Sequence, residues 1–377
     1  MPSSSSSNPA PGLKTTDLQG IDTLFAEAGL ARSRRGKSSG SMRAERLDRA
    51  APEEFARPAP RPRIAANGVR WLPVPGWGFA WLWSGFSTRL AGRTRAYCAD
   101  DAPGELNLGF TAEDSRETVA GNRQLLAEAA TGTASTPLVT LRQFHSNLVV
   151  RVSAADAGRK MPRRGDGLIT DQPGMLLAVQ TADCIPVLVA DRKSRVVGAF
   201  HAGWRGTVKR IVEAGVGRMR LEFDSRPGDL IAAIGPGIGP CCYAVGDEVL
   251  SEFESQFSYA RELFCEVSDA DAVRMKYPML FLTQRAPGHA SAGPGLHVDL
   301  IEANRRQLLA CGIAAKSIQV VGSCTQCHPG LFFSHRGSRG RAGRMMAVIG
   351  IRKPAWNQPA SGRRIGLEKR KSMVLED

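Results

Sequence analysis

Between residues 75 and 351 the chain is a succession of short apolar runs, each closed by glycine, proline or a polar turn. Runs of this length suit a strand and fall short of a buried helix, and none approaches the roughly 18 apolar residues that cross a membrane. A chain of this kind must bury its runs against one another in sheets. Strands are expected over 77–87 (WGFAWLWSGFS), 138–145 (LVTLRQFH), 147–154 (NLVVRVSA), 175–180, 185–190, 196–200, 230–235, 318–324, 331–337 (LFFSHRG) and 344–351. Four intervening segments carry helical patterning. The first runs from Asp114 or Ser115 to Ala130, with Val119, Leu126 and Ala130 on one face; the others cover 207–220, 246–257 and 300–311. Strand and helix order is irregular, with no internal repeat and no glycine-rich dinucleotide fingerprint. The class is therefore α/β, with a parallel doubly wound sheet as the second choice.

With 377 residues and 42% hydrophobic content, the chain can build a sizeable core, and aromatics at 6% make that core aliphatic. The net charge of +14 suggests nucleic acid until its distribution is read: +4 lies in residues 1–67, +4 in residues 352–377, and only +6 in the 284 residues between. No specific nucleic-acid contact is expected from charge held in tails without aromatic interleaving. Residues 1–67, rich in Ser, Pro, Arg and Ala with Phe25 and Phe55 as the only aromatics, read as a disordered or loosely attached extension. Residues 68–351 form the folded body and 352–377 a basic tail. The N-terminus lacks the apolar run of a secretory signal, so a cytoplasmic protein with no membrane partner is expected and its eight cysteines are read as mostly reduced thiols. The Arg- and Ser-rich stretch 31–63 keeps organellar targeting open, although seven acidic residues in the first 67 argue against it.

Six histidines are few for this length. His145 and His201 each end an apolar run, and Cys184 sits between two runs in TADCIP. Strand ends are where α/β folds assemble sites, and two imidazoles with one thiolate make a sound zinc set with a fourth position open. Against this, their spacing matches no short zinc motif, a Cys between apolar strands also serves as a small core residue, and a strand-end His also serves as a hydrogen-bonded structural group. Gln143 and Arg142, Thr181 and Asp183, and Arg205 lie beside the three as polar support. Arg205 and Arg336, in glycine-bearing turns, are candidates for anion binding, with Arg142 and the Ser334 hydroxyl behind them. Cys324 and Cys327 form a CxxC followed by His328. With no second CxxC they read as a loop lining the site, and of the vicinal Cys241 and Cys242 only one is expected to face a given pocket.

The motifs RQFH, GDGLIT, TADCIPVLVAD, HAGWRGT, IGPGIGPCCYAVGDEV, HVDLIEANRRQL, SCT and FFSHR, in this order, resemble the laccase-domain or polyphenol oxidase family over about residues 75–351. The resemblance implies a single large α/β domain with packed mixed β-sheets flanked by helices. It implies a metal, zinc with Cu2+ as the alternative, on His145, Cys184 and His201. Family members are described as purine nucleoside phosphorylases that split adenosine with phosphate, deaminate adenosine to inosine, and accept inosine, guanosine and methylthioadenosine; an older label is copper-dependent laccase. Some bacterial members are described instead as peptidoglycan-editing enzymes that remove L-serine from a UDP-linked muramic acid precursor. The chain departs from the pattern at Ser146, where glycine is usual and a side chain would narrow the pocket, at His335, where tyrosine is usual, and in the Gln-Cys-His that follows SCT. Asn107 in ELNLG matches a family segment expected to line the entrance.

The expected partners are therefore purine nucleosides and phosphate, with Arg205 or Arg336 anchoring phosphate or ribose. Arg205 would stand just before the helix starting near Thr207, or else clamp Asp183 beneath the metal loop. The alternatives are the editing amidase and a metal-free hydrolase using Cys184 as nucleophile with His201 as base. No oligomeric state follows from the sequence.

Overall fold

All seven residues of Ile185–Asp191 are buried, as are all seven of Met345–Ile351. A strand covered on both faces reads as a continuous apolar run rather than an alternating one, and this is why the runs look uniform in the sequence. Their alternation appears only in the packing. In the computed structural model, which describes residues 49–50, 57–98, 102–159, 161–267 and 295–353, Leu188 and Ala190 face one core while Val187 and Val189 face another. The described residues all belong to one unit, Leu47–Asp377.

Two six-stranded sheets form the body. The first runs in the order Ile318–Val320, Leu230–Ile234, Ile185–Asp191, Val197–Ala202, Gly167–Thr170 and Val149–Arg151. Its inner pairings are antiparallel and both edge pairings parallel. The second runs Arg63–Ile64, Arg70–Pro73, Leu82–Ser87, Met345–Ile351, Leu176–Thr181 and Leu138–Val139, antiparallel except for its last pair. These antiparallel interiors exclude the doubly wound alternative. A third sheet of four short strands joins Arg49–Ala50, Phe264–Val267, Gly295–Val298 and Ala244–Val245.

The sheets pack face to face through Phe86, Leu177, Val179, Ala347 and Ile349 of one and Leu168, Leu188, Ala199 and Ala233 of the other. Helices Ile211–Phe223 and Leu300–Ala310 cover the outer face of the first sheet through Val212, Val216, Met219, Ile301 and Leu308. Helix Arg116–Thr131 covers the second through Leu126, Ala127 and Ala130. Ser115 caps that helix by accepting the Thr118 N–H, and Gly132 stops it at φ 86°, caps of about 1 kcal/mol each.

Several sequence expectations are corrected. Strand 77–87 shortens to Leu82–Ser87. No strand forms over 331–337; Phe332 and Phe333 are buried between the sheets, so their apolarity reflects packing rather than pairing. The helix expected from Thr207 begins at Trp204, breaks at Arg210 with φ 60°, and resumes at Ile211. Arg205 therefore lies inside a short helix, not ahead of one. Arg63–Ile64, placed in the N-terminal extension, pairs with the second sheet, and the carbonyl of Arg57 meets His328 Nε2 at 3.1 Å. Residues 1–48, 51–56 and 354–377 lie outside the described residues.

Candidate active site

The turn Ala182-Asp183-Cys184 carries the chain from the second sheet, at Leu176–Thr181, into the first, at Ile185–Asp191. Crossing between sheets within three residues forces Asp183 to φ 95°. It also puts Cys184 at the mouth of the sandwich, partly exposed. On the neighbouring strand, His201 sits opposite Pro186. His145 lies on a loop at φ 61°, tied to the crossing strand by Gln143, whose amide exchanges hydrogen bonds of 2.9 and 2.8 Å with the Gln180 backbone.

These three elements bring the predicted trio together. Cys184 Sγ lies 3.8 Å from His145 Nε2, the two imidazole rings are 5.0 Å apart, and one donor atom from each of the three lies within 4.8 Å of the others. Gly203 is needed for this approach: a Cβ there would stand 2.8 Å from Cys184 Sγ and 3.0 Å from the His145 ring.

Sequence reasoning passed over Asp166. It is fully buried and its Oδ1 lies 2.9 Å from His201 Nδ1. The carboxylate also accepts the backbone N–H groups of Phe144, His145 and Ser146 and the Ser146 hydroxyl. Ser146 is itself buried, so its side chain turns inward onto Asp166 and does not narrow the pocket. Burial alone would raise the Asp166 carboxyl, but the bonds from His201 and Ser146 hold it well below the usual carboxylate range. The only hint in the sequence was the GDG turn ahead of an apolar strand.

The electrostatics follow from this contact set. Burial raises the Cys184 thiol, and the charge of His201 with the hydrogen bonds of His145 and His201 outweighs it, bringing the thiol down to about 6. Burial lowers the His201 imidazole, and the Cys184 thiolate with Asp166 reverses this, pushing it up to about 9. Without an ion the pair is thus a thiolate beside an imidazolium, and a metal held there would take the place of the His201 Nε2 proton. With His201 Nδ1 committed to Asp166, its Nε2 is the nitrogen left for a ligand, the arrangement of a metal-binding histidine held from behind by a carboxylate. Two nitrogens and one sulfur suit zinc with one position open.

The remaining candidates divide. Arg205 is exposed with its guanidinium 4.2 Å above the Trp204 ring. Arg336 is exposed, 5.4 Å from the Tyr243 ring. Burial pushes the Tyr243 hydroxyl up to about 12, and the charges of Cys184, Arg336, Asp183 and Arg205 all reach it. The Asp183 carboxylate is not clamped by Arg205; it accepts the Thr325 hydroxyl at 2.6 Å and the Arg336 backbone N–H at 2.7 Å. Ser334 is buried and its Oγ accepts the Gly337 N–H. Asn107 lines no entrance: it is fully buried, with its amide bonded to Gly109, Asp114 and Arg344.

Comparison with known proteins shows the family to which the chain is similar. A family model described as multi-copper polyphenol oxidoreductase laccase matches residues 84–352. A purine nucleoside phosphorylase of Geobacillus stearothermophilus, YlmD, is 35% identical over 292 residues, covering 75% of this chain and 95% of that protein. The crystal structure of the hypothetical protein YfiH from Bacillus licheniformis aligns with a TM-score of 0.62 at 30% identity, over 77% of this chain and 98% of that one. The crystal structure of YlmD from Geobacillus stearothermophilus aligns with a TM-score of 0.60 at 32% identity, over 79% and 99%.

Proposed function

Because the chain belongs to the multi-copper polyphenol oxidoreductase laccase family, we propose that it is a metal-dependent purine nucleoside phosphorylase, the activity named for its Geobacillus stearothermophilus relative. The proposed substrates are adenosine, inosine, guanosine and methylthioadenosine, and adenosine is also deaminated to inosine. The observation that carries this reading is the convergence of His145, Cys184 and His201 within 4.8 Å, with Arg205 exposed on the short helix Trp204–Val208 and Arg336 exposed in a turn. The donor set fits zinc first and copper second. When bound, the ion supplies Lewis-acid chemistry at its open position.

The chain's own residues do the rest. Asp166 keeps the His201 proton on Nδ1 and fixes the ring. Asp183 holds the Arg336 backbone and so sets the turn from which that guanidinium reaches the substrate. Arg205 offers a fork of donors to phosphate, and Tyr243, protonated near neutrality, is a donor available beside the departing base. In phosphorolysis, phosphate oxygen bonds to the anomeric carbon, the glycosidic bond breaks, and the purine leaves with a proton. Incubation with adenosine, with and without phosphate, tests this: adenine and ribose 1-phosphate should form only when phosphate is present. Absence of both products, with or without inosine, would defeat the phosphorylase reading.

One observation favours a second reading. A thiol near 6 beside an imidazole near 9 also describes a Cys-His nucleophile pair needing no metal. Activity that survives complete metal removal and is lost on alkylation of Cys184 would favour it.

A further inference from the structure

Cys241 and Cys242 were expected to point apart, and the CxxC at 324–327 to lack partners. The structure gathers all four. Cys327 Sγ lies 3.4 Å from both Cys241 Sγ and Cys242 Sγ, and the four sulfurs all lie within 4.8 Å of one another. The vicinal pair can face one point because it sits in a turn, where the N–H groups of Cys242 and Tyr243 both reach the Gly239 carbonyl; side chains alternate only in extended strands.

None of the four is in a disulfide. Sulfurs about 2.3 Å from a shared tetrahedral ion stand roughly 3.8 Å apart, a spacing this cluster reaches with small side-chain shifts. The two loops that carry the sulfurs are already docked backbone to backbone. Gly237 bridges Cys324, the Thr325 N–H meets the Gly237 carbonyl at 3.0 Å, and a Cβ on Gly322 would strike the Pro236 backbone. Four thiolates leave no open position and select a soft tetrahedral ion, the donor set of structural zinc.

We propose that Cys241, Cys242, Cys324 and Cys327 form a second metal site, a closed tetrathiolate zinc site distinct from the His145, Cys184 and His201 cluster. Its role is to pin the wall of the first site. Asp183, next to Cys184, gives its carbonyl to the Ile238 N–H at 2.7 Å and its carboxylate to the Thr325 hydroxyl at 2.6 Å. One of these partners lies three residues before Cys241 and the other directly after Cys324. An ion joining the two loops holds both ends of that grip.

The test reads metal, not turnover, and so stands apart from the phosphorylase reading. Full-length protein purified under reducing conditions without added metal should carry about two zinc ions per chain, and C184A about one. Cobalt-substituted C184A should show the intense thiolate-to-cobalt absorption of four sulfur donors. C327A should lose the ion that C184A keeps and melt at lower temperature, whereas C327H, which restores a ligand, should regain both. The proposal is overturned by wild-type protein with a single zinc and four freely titrating thiols at these positions. A disulfide joining Cys327 to Cys241 or Cys242 in the purified protein, or C327A with unchanged zinc and melting temperature, would overturn it equally.

Discussion

Asp166 meets His201 through a 2.9 Å contact between Oδ1 and Nδ1 across 35 residues of chain, from the turn entering one strand to the end of its neighbour. The same carboxylate receives the backbone N–H of His145 at 3.0 Å. One buried anion thus orients two of the three groups proposed to hold the metal. Ring and loop are positioned together, which neither strand could do alone.

Asp166→Asn should separate this role from simple packing. The amide matches the carboxylate in size but turns an NH2 toward N–H donors that need an acceptor, leaving a buried donor unpaired at about 1–3 kcal/mol. Zinc affinity should fall about 10- to 100-fold, as for other groups that orient a metal ligand. Competition with a chromophoric chelator measures it. Wild-type affinity in this variant would show that Asp166 only packs.

Gly203→Ala is expected to harm the site more than the fold. The position is extended at φ −69°, so alanine fits the backbone. Its methyl, however, would enter the space between Cys184 Sγ and the His145 ring. A displacement of this kind near reacting groups costs up to about a hundredfold in rate. Turnover should drop on that scale while the metal-free protein keeps its melting temperature. A metal-free melting temperature that falls as far as the activity would place the damage in the fold instead.

How much of this was legible before the structure depends on how local each signal is. Helix Arg116–Thr131 was readable to within one residue because Ser115 and Gly132 act on their own neighbours. His145, Cys184 and His201 stood out because each sits where an apolar run meets a turn. Asp166 was silent because its partners are set by pairing between strands Gly167–Thr170 and Val197–Ala202, and GDG alone reads as a turn. The four cysteines were missed for a similar reason: alternation rules presume a strand, and Cys241 and Cys242 lie in a turn. Phe332 and Phe333 misled in the other direction, since a loop buried between two sheets is as apolar as a strand.

Glu213 gives a pH dependence away from the site. It is 7% exposed on helix Ile211–Phe223, with both oxygens bonded to Arg210 Nη1. Burial raises its carboxyl above the usual value and Arg210 only partly opposes this. The folded state therefore holds the proton more tightly than the unfolded chain. The resulting stability is complete below the unfolded value and is lost as pH rises through the folded one. Glu213→Gln cannot titrate, so the stability of the native protein relative to this variant should shrink as pH rises above the ordinary carboxylate range at about 4. Urea midpoints across that rise measure it; a gap that is constant or widens with pH would show that Arg210 fully offsets the burial.

Arg205 and Arg336 are proposed to divide the substrate between them, and their surroundings differ. An Arg205 clamp on Asp183 would have made it a structural residue, but that carboxylate is taken by Thr325 and Arg336. Arg205 stacks on Trp204, exposed, with no ion pair among the described residues. A guanidinium held by its aromatic neighbour and otherwise unspent suits a mobile anion such as phosphate. Arg336 stands beside Tyr243, and its backbone is fixed by Asp183, which suits the nucleoside. Arg205→Ala should therefore raise the KM for phosphate about tenfold, near 1.4 kcal/mol, and leave adenosine deamination almost unchanged, because that reaction uses no phosphate. Arg336→Ala should raise the KM for nucleoside in both reactions. Stability should change little in either variant, since both side chains are exposed. Equal loss of phosphorolysis and deamination in Arg205→Ala, with a lowered melting temperature, would return Arg205 to a structural role and leave the phosphate without its anchor.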